Sequence, residues 1–254
     1  MKKRFLTWLL AVCLVMTAAS VSACADKTIL DDQAVRYVLL DGDSISYDCG
    51  GVTVSGSVLT IGAPGIYSLS GTLNDGQIIV NVQKDEKVEI ELNGVTITCL
   101  TGPAIYVSAA DKVTLDVADN TENTITSGTQ EDMKKCDDSS SGAAIYSKDD
   151  LKIKGHGRLY VNGYINNGIA SKNDVDIKSV SLHVIAANNG IKGNDSVEIS
   201  DADVTVKAGN DGIKTDTTKE GKGFITITGT PLMIEAKNGI EADSMITVLP
   251  ETQG

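Results

Sequence analysis

An all-β parallel β-helix with an N-terminal β cap is the fold this sequence predicts, and three observations predict it. The phrase Asn-Asn-Gly-Ile at Asn166–Ile169 returns at Asn188–Ile191, then as Asn-Asp-Gly-Ile at Asn210–Ile213 and Lys-Asn-Gly-Ile at Lys237–Ile240, with 22 residues between the first three isoleucines. A fixed period of this size marks a repeat architecture. Short alternating stretches lie between the anchors, such as Leu151-Lys-Ile, Val197-Glu-Ile, Val204-Thr-Val and Phe224-Ile-Thr-Ile. They are period-two strand signals rich in β-branched residues. Glycines separate them, among them Gly155, Gly163 and Gly209, and the chain after its apolar leader holds no sustained helical stripe. Each repeat then reads as one coil of two or three strands, with inward aliphatics stacked at a coil spacing of ~4.8 Å.

The elements follow in chain order. Met-Lys-Lys-Arg, an apolar run from Phe5 to Ala19 and Val21-Ser-Ala-Cys24 read as a signal peptide over residues 1–23. Val-Ser-Ala-Cys also has the form of a lipobox, so Cys24 is expected to carry lipid and anchor an extracellular protein to the bacterial cell membrane. Residues 24–40 read as a tether. Residues 41–76 alternate strand and glycine turn (Val52-Thr-Val, Val58-Leu-Thr-Ile, Ile66-Tyr-Ser-Leu) and read as the cap that protects the open end of a solenoid. Coils fill residues 77–249. The wide gap between Ile105 and Ile145 holds an insertion whose centre, Thr129–Gly142, reads as an acidic, serine-rich surface loop.

Composition narrows the function. A net charge of −12, more negative once the basic leader is removed, excludes nucleic acid as a partner. Cys49, Cys99 and Cys136 have no metal-type spacing, and whether two of them pair is left open. The asparagine before each repeated glycine predicts a ladder of stacked amides, with the glycine expected to supply a positive φ at a corner. The residue after each anchor forms a column expected to point outward: Tyr106, Tyr146, Ala170, Lys192, Lys214, Glu241. Tyr106 and Tyr146 could stack on pyranose rings, and Lys192 and Lys214 could pair with uronate carboxylates.

Several phrases fall together in order: Asp75-Gly-Gln-Ile-Ile-Val, Gly102-Pro-Ala-Ile-Tyr, Ala143-Ala-Ile-Tyr-Ser-Lys-Asp-Asp-Leu, Asn167-Gly-Ile-Ala-Ser-Lys and Asp211-Gly-Ile-Lys-Thr-Asp. Over roughly residues 41–249 they resemble the calcium-dependent carbohydrate-binding domain family. Its members are secreted bacterial right-handed parallel β-helices related in fold to family 9 pectate lyases. The resemblance implies a non-catalytic protein that binds cellulose-like or pectin-like polysaccharides with calcium. The alternatives are a pectate-lyase-like enzyme and a structural or adhesive surface lipoprotein without a sugar ligand. The family favours aspartate where this chain has Asn167, Asn189 and Asn238, and only Asp211 keeps the carboxylate. Two corners are therefore candidates for calcium: Asn189, Asn210, Asp211 and Asn238 at the ladder, and the recurring acids Asp149 and Asp150, Asp174, Asp195, Asp216 and Asp243 at the far end of the strand.

Overall fold

The structure, a computed structural model, describes residues 34–48, 50–135 and 142–250. The signal peptide, Cys24 and most of the tether lie outside the described residues, as do Cys49 and Cys136. Cys99 is buried with a free thiol.

The chain winds into a parallel β-solenoid of about seven turns. Strands Asn167–Ser171, Asp174–Lys178 and Ser181–Ala186 represent one coil. Each pairs in parallel with its counterpart one coil on: Ile191–Gly193, Ser196–Ser200 and Asp203–Ala208. The solenoid thus has three faces. The anchor face, which carries the repeated isoleucines, is a nine-stranded sheet. The second and third faces belong to a single 15-stranded sheet, carried round the corner by the long strand Lys87–Cys99. That strand bends at Gly94, whose φ is +74°. The bend leaves the N–H groups of Gly94 and Val95 without ladder partners, and both donate to Oδ1 of the fully buried Asn123 at 2.9 Å. An inward-facing asparagine is satisfied there because it repairs the corner.

The core is the one the spacing predicts. Ile105, Ile145, Ile169, Ile191 and Ile213 pair rung to rung, each with no exposed surface. Leu151, Val175 and Val197 stack likewise on the second face.

Two expectations need correction. The tether was expected to reach residue 40, but Val35–Gly42 is already a strand, paired in parallel with Gly65–Leu73 and antiparallel with Ser44–Tyr47. Val38 and Leu40 are each 2% exposed, so burial of two alternating side chains draws the segment into the sheet. A second antiparallel hairpin, Val52–Ser55 with Val58–Ile61, begins the anchor face.

The repeated glycine is also not a positive-φ corner. Gly168, Gly190 and Gly212 do not appear among the residues with positive φ. A Cβ on Gly190 would come within 2.2 Å of Val206 Cγ1 and 2.6 Å of Gly212 O, and Gly168 and Gly212 are crowded in the same way. The glycine is required because backbone and the facing wall of the core meet there.

Candidate functional site

The asparagine ladder forms. Asn167 Nδ2 donates to Gly142 O at 2.8 Å, Asn189 Nδ2 donates to Asn167 Oδ1 at 2.9 Å, and Asn238 Nδ2 donates to Asp211 Oδ1 at 2.7 Å. The backbone joins in, with Asp211 N donating to Asn189 Oδ1 at 3.3 Å. Asp211 has no exposed surface, and its Oδ2 accepts from Asn210 Nδ2 at 3.1 Å and meets Lys214 Nζ at 3.1 Å. Its oxygens are therefore surrounded by hydrogen-bond donors. Calcium requires an inward-facing set of oxygens, and this corner does not fit it.

The acids at the far end of the strand do not make one column. Asp174 stands opposite Ser196, and Ser196 Oγ donates to Asp174 Oδ1 at 2.7 Å. Asp195 is ion-paired with Lys222, and Asp149 with Lys84. Asp216 meets Lys192 at 2.7 Å, and the hydrogen bond from Lys192 holds its carboxyl below the usual range. Asp243 is exposed on the last coil. Among the described residues no three His, Cys, Asp or Glu side chains come close enough together to hold a metal. The strain of the acids is felt at Asp150, whose pKa is raised, first by burial and then by Asp174. Lys222 faces Asp195, Asp174 and Asp150 together, and its hydrogen bond to Asp195 is the largest cause of its raised pKa.

The outward column forms in the expected register, Tyr106–Tyr146–Ala170–Lys192–Lys214–Glu241. The rings of Tyr106 and Tyr146 stack with centroids 5.9 Å apart and planes 12° from parallel. Lys148 Nζ lies 5.4 Å from the Tyr106 centroid, and its hydrogen bond to the phenol holds the Tyr106 pKa below its ordinary value.

One face of Tyr146 is covered by Tyr106. The other looks along the column over Ala170, a small side chain that is itself only 4% exposed. A concavity of about 410 Å³ opens there, lined by Tyr146, Ala170 and Lys192 along the column and by Asn167, Lys172 and Asn194 at its sides. Tyr146 and Lys192 stand two coils apart, roughly 9.6 Å at the usual strand spacing. A ring held between two walls at contact distance needs about 7–8 Å, which lies within the backbone spacing of two coils.

The two lysines named from the sequence differ from their expected role. Lys192 is tied to Asp216, and Lys214 to Asp211 and Glu241. Burial alone would lower the Lys214 pKa, but the hydrogen bonds it donates to Glu241 and Asp211 outweigh it and raise it. Lys172, at the rim, forms no ion pair among the described residues. It follows the strand by one residue, so its place in the notch was not visible from the column of anchor-plus-one positions. Ala170 was in that column, but its value as a gap depends on the size of its neighbours.

Comparison with known proteins points the same way. The family described as "Carbohydrate-binding domain-containing protein" matches residues 55–251. A relative from Acetivibrio thermocellus with the same description is 37% identical over 179 residues, which are 68% of this chain and 63% of the relative. The chain therefore matches less than two thirds of that relative's length. A solved structure described as the polysaccharide lyase-like protein from C. thermocellum, gadolinium derivative, superposes with a TM-score of 0.75 at 32% identity. The match covers 86% of this chain and 100% of the other.

Proposed function

The chain belongs to the family of carbohydrate-binding domain-containing proteins, and from that premise we propose that it holds a polysaccharide on its anchor face without cleaving it. The observation that carries this reading is the notch over Ala170. A pyranose ring entering it stacks on the free face of Tyr146, and Lys172 meets a uronate carboxylate. Asn194, half-buried at the side of the notch, offers its amide to sugar hydroxyls. An acidic, pectin-like glycan suits the uncompensated ammonium of Lys172 best.

Cleavage by a lyase route calls for a base near neutrality, and a lysine base must have a lowered pKa. The lysines whose pKa is displaced, Lys148, Lys154, Lys214 and Lys222, are all pushed up. That supports binding over catalysis, although a relative in fold is described as lyase-like.

The test is to fill the notch. Ala170→Tyr extends the tyrosine stack over a rung where Ala170 is already 4% exposed, so its melting temperature is measured beside binding to confirm that the variant is folded. Retention on polygalacturonate should fall at least about tenfold, the value of one good stacking contact. Lys172→Ala should weaken polygalacturonate binding and flatten its salt dependence. Full retention by Ala170→Tyr would refute the site.

Calcium enters the proposal as a stabiliser of the acidic corner around Asp150 and Asp174, where backbone carbonyls and water would have to complete a ligand set that the described carboxylates alone do not form. It has no part in the notch. Calcium bound only by the folded chain raises the melting temperature by mass action, so equal melting in calcium and in chelator would remove it from the account. We propose further that the protein sits outside the cell, anchored by lipid on Cys24. Intact mass of the native protein should show a diacylated N-terminal cysteine, and an unmodified residue there would contradict the anchor.

A further inference from the structure

The third face carries a second aromatic pair that the proposed site does not use. Across its coils Thr96, Thr124, Tyr160, His183, Thr205 and Met233 stand in one outward column. The rings of Tyr160 and His183 stack with centroids 5.1 Å apart and planes 19° from parallel. The arrangement repeats that of the anchor face. A stacked pair leaves one ring face free, a small side chain follows, and a larger one stands beyond it. Here the free face belongs to His183, the small residue is Thr205, and the far wall is Met233, which is 68% exposed. His183 and Met233 are two coils apart, roughly the same 9.6 Å.

The surroundings differ from the anchor face in charge. The basic side chains Arg158 and Lys207 are each held by an acid, Arg158 by Glu122 at 2.7 Å and Lys207 by Glu235 at 2.7 Å. The neighbouring outward column supplies Thr126 and Asn162, hydrogen-bonded to each other at 3.2 Å, and the exposed Ile185. Hydroxyls, an amide, a thioether and a free ring face, with Arg158 and Lys207 already paired, suit an uncharged partner rich in hydroxyl groups and flat enough to lie on a sheet.

We propose that the third face is a second glycan-binding surface, selective for a neutral, extended polysaccharide. One molecule would then hold an acidic chain on one face and a neutral chain on another, and so join two polysaccharides.

The test is affinity electrophoresis of the full chain through gels holding hydroxyethylcellulose or polygalacturonate. Wild-type protein should be retarded by both. Tyr160→Ala/His183→Ala should lose at least about tenfold in affinity for hydroxyethylcellulose and keep its retardation by polygalacturonate, while Tyr146→Ala should do the reverse. His183→Tyr retains a ring and should bind as wild type. Thr205→Tyr fills the gap without removing a ring and should lose hydroxyethylcellulose, which keeps the test open should the double variant fail to fold. Wild-type protein that ignores hydroxyethylcellulose would overturn the second surface even with the anchor-face notch upheld. So would a folded Tyr160→Ala/His183→Ala or Thr205→Tyr variant that binds it normally. A folded double variant that loses both glycans would overturn the independence of the two faces.

Discussion

At Asp150 a half-buried carboxylate stands beside Asp174, and its pKa is raised by burial first and by that neighbour second. The folded chain therefore binds a proton at this group more readily than the unfolded chain does. Stability from this residue falls as pH rises from the ordinary value of 3.8 through the raised folded value, and the penalty is fully present above it. Asp216 has the opposite sign: its lowered pKa adds stability above 3.8 that is lost as pH falls through the folded value. Asp150→Asn removes the penalty, so in chelator at neutral pH its urea midpoint should exceed that of the wild type. The gain should shrink towards pH 4. Equal midpoints at neutral pH would show that Asp150 is not under strain. The acids were visible in the sequence, but their partners were not. Lys84 and Lys222 reach Asp149 and Asp195 from loops far away in the chain, and no periodic pattern announces a loop lysine.

The element that the sequence describes best is the strand that begins at each Asn-Gly. Its inward isoleucine, its outward successor and its amide ladder all depend on the 22-residue spacing, which fixes register, and register fixes which side chains meet. The notch was not legible for the same reason that the ladder was. Spacing tells which residues are neighbours, whereas a gap depends on the volume of each one. The ladder also makes a sharp prediction. Asn189 donates to Asn167 Oδ1 and accepts from Asp211 N and Asn210 Nδ2. Asn189→Ala strands the buried N–H of Asp211, while Asn167 Oδ1 keeps the backbone N–H of residue 189 and Asn210 Nδ2 keeps Asp211 Oδ2, and it should cost about 1–3 kcal/mol. Chemical denaturation should show the midpoint moving down with little change in slope. A loss well under 1 kcal/mol would mean that the backbone ladder carries the corner alone.

For the molecule as a whole, contacts run between adjacent coils, so stability is close to a sum over rungs and their interfaces. Removing residues 188–209 takes out one complete coil and brings Asn167 against Asp211, Ile169 against Ile213 and Val175 against Ile225. The shortened chain should fold, with the β-rich circular dichroism of the parent and a lower melting temperature. Removing 21 residues from the same place puts the next strand out of register and should prevent folding. Equal tolerance of the two deletions would contradict the stacked core.

The ladder has a consequence in chemical durability. Asn167, Asn189 and Asn238 are each followed by glycine, the sequence in which the next backbone nitrogen most readily attacks the side-chain amide. The attack expels ammonia and closes a succinimide, which water opens to aspartate or isoaspartate. In the folded chain the amides of Asn167 and Asn189 are pinned to neighbouring coils, and the N–H groups of Gly168 and Gly190 are engaged with Asn189 O and Asp211 O. Unfolding releases both reactants. Each excursion to the unfolded state is then a chance to convert a rung into a carboxylate, and at Asn167 and Asn238 the residue three places on is Ala170 or Glu241 rather than an ammonium such as Lys214 beside Asp211. Time spent unfolded is written into the chain, and heat inactivation becomes irreversible in proportion to its duration.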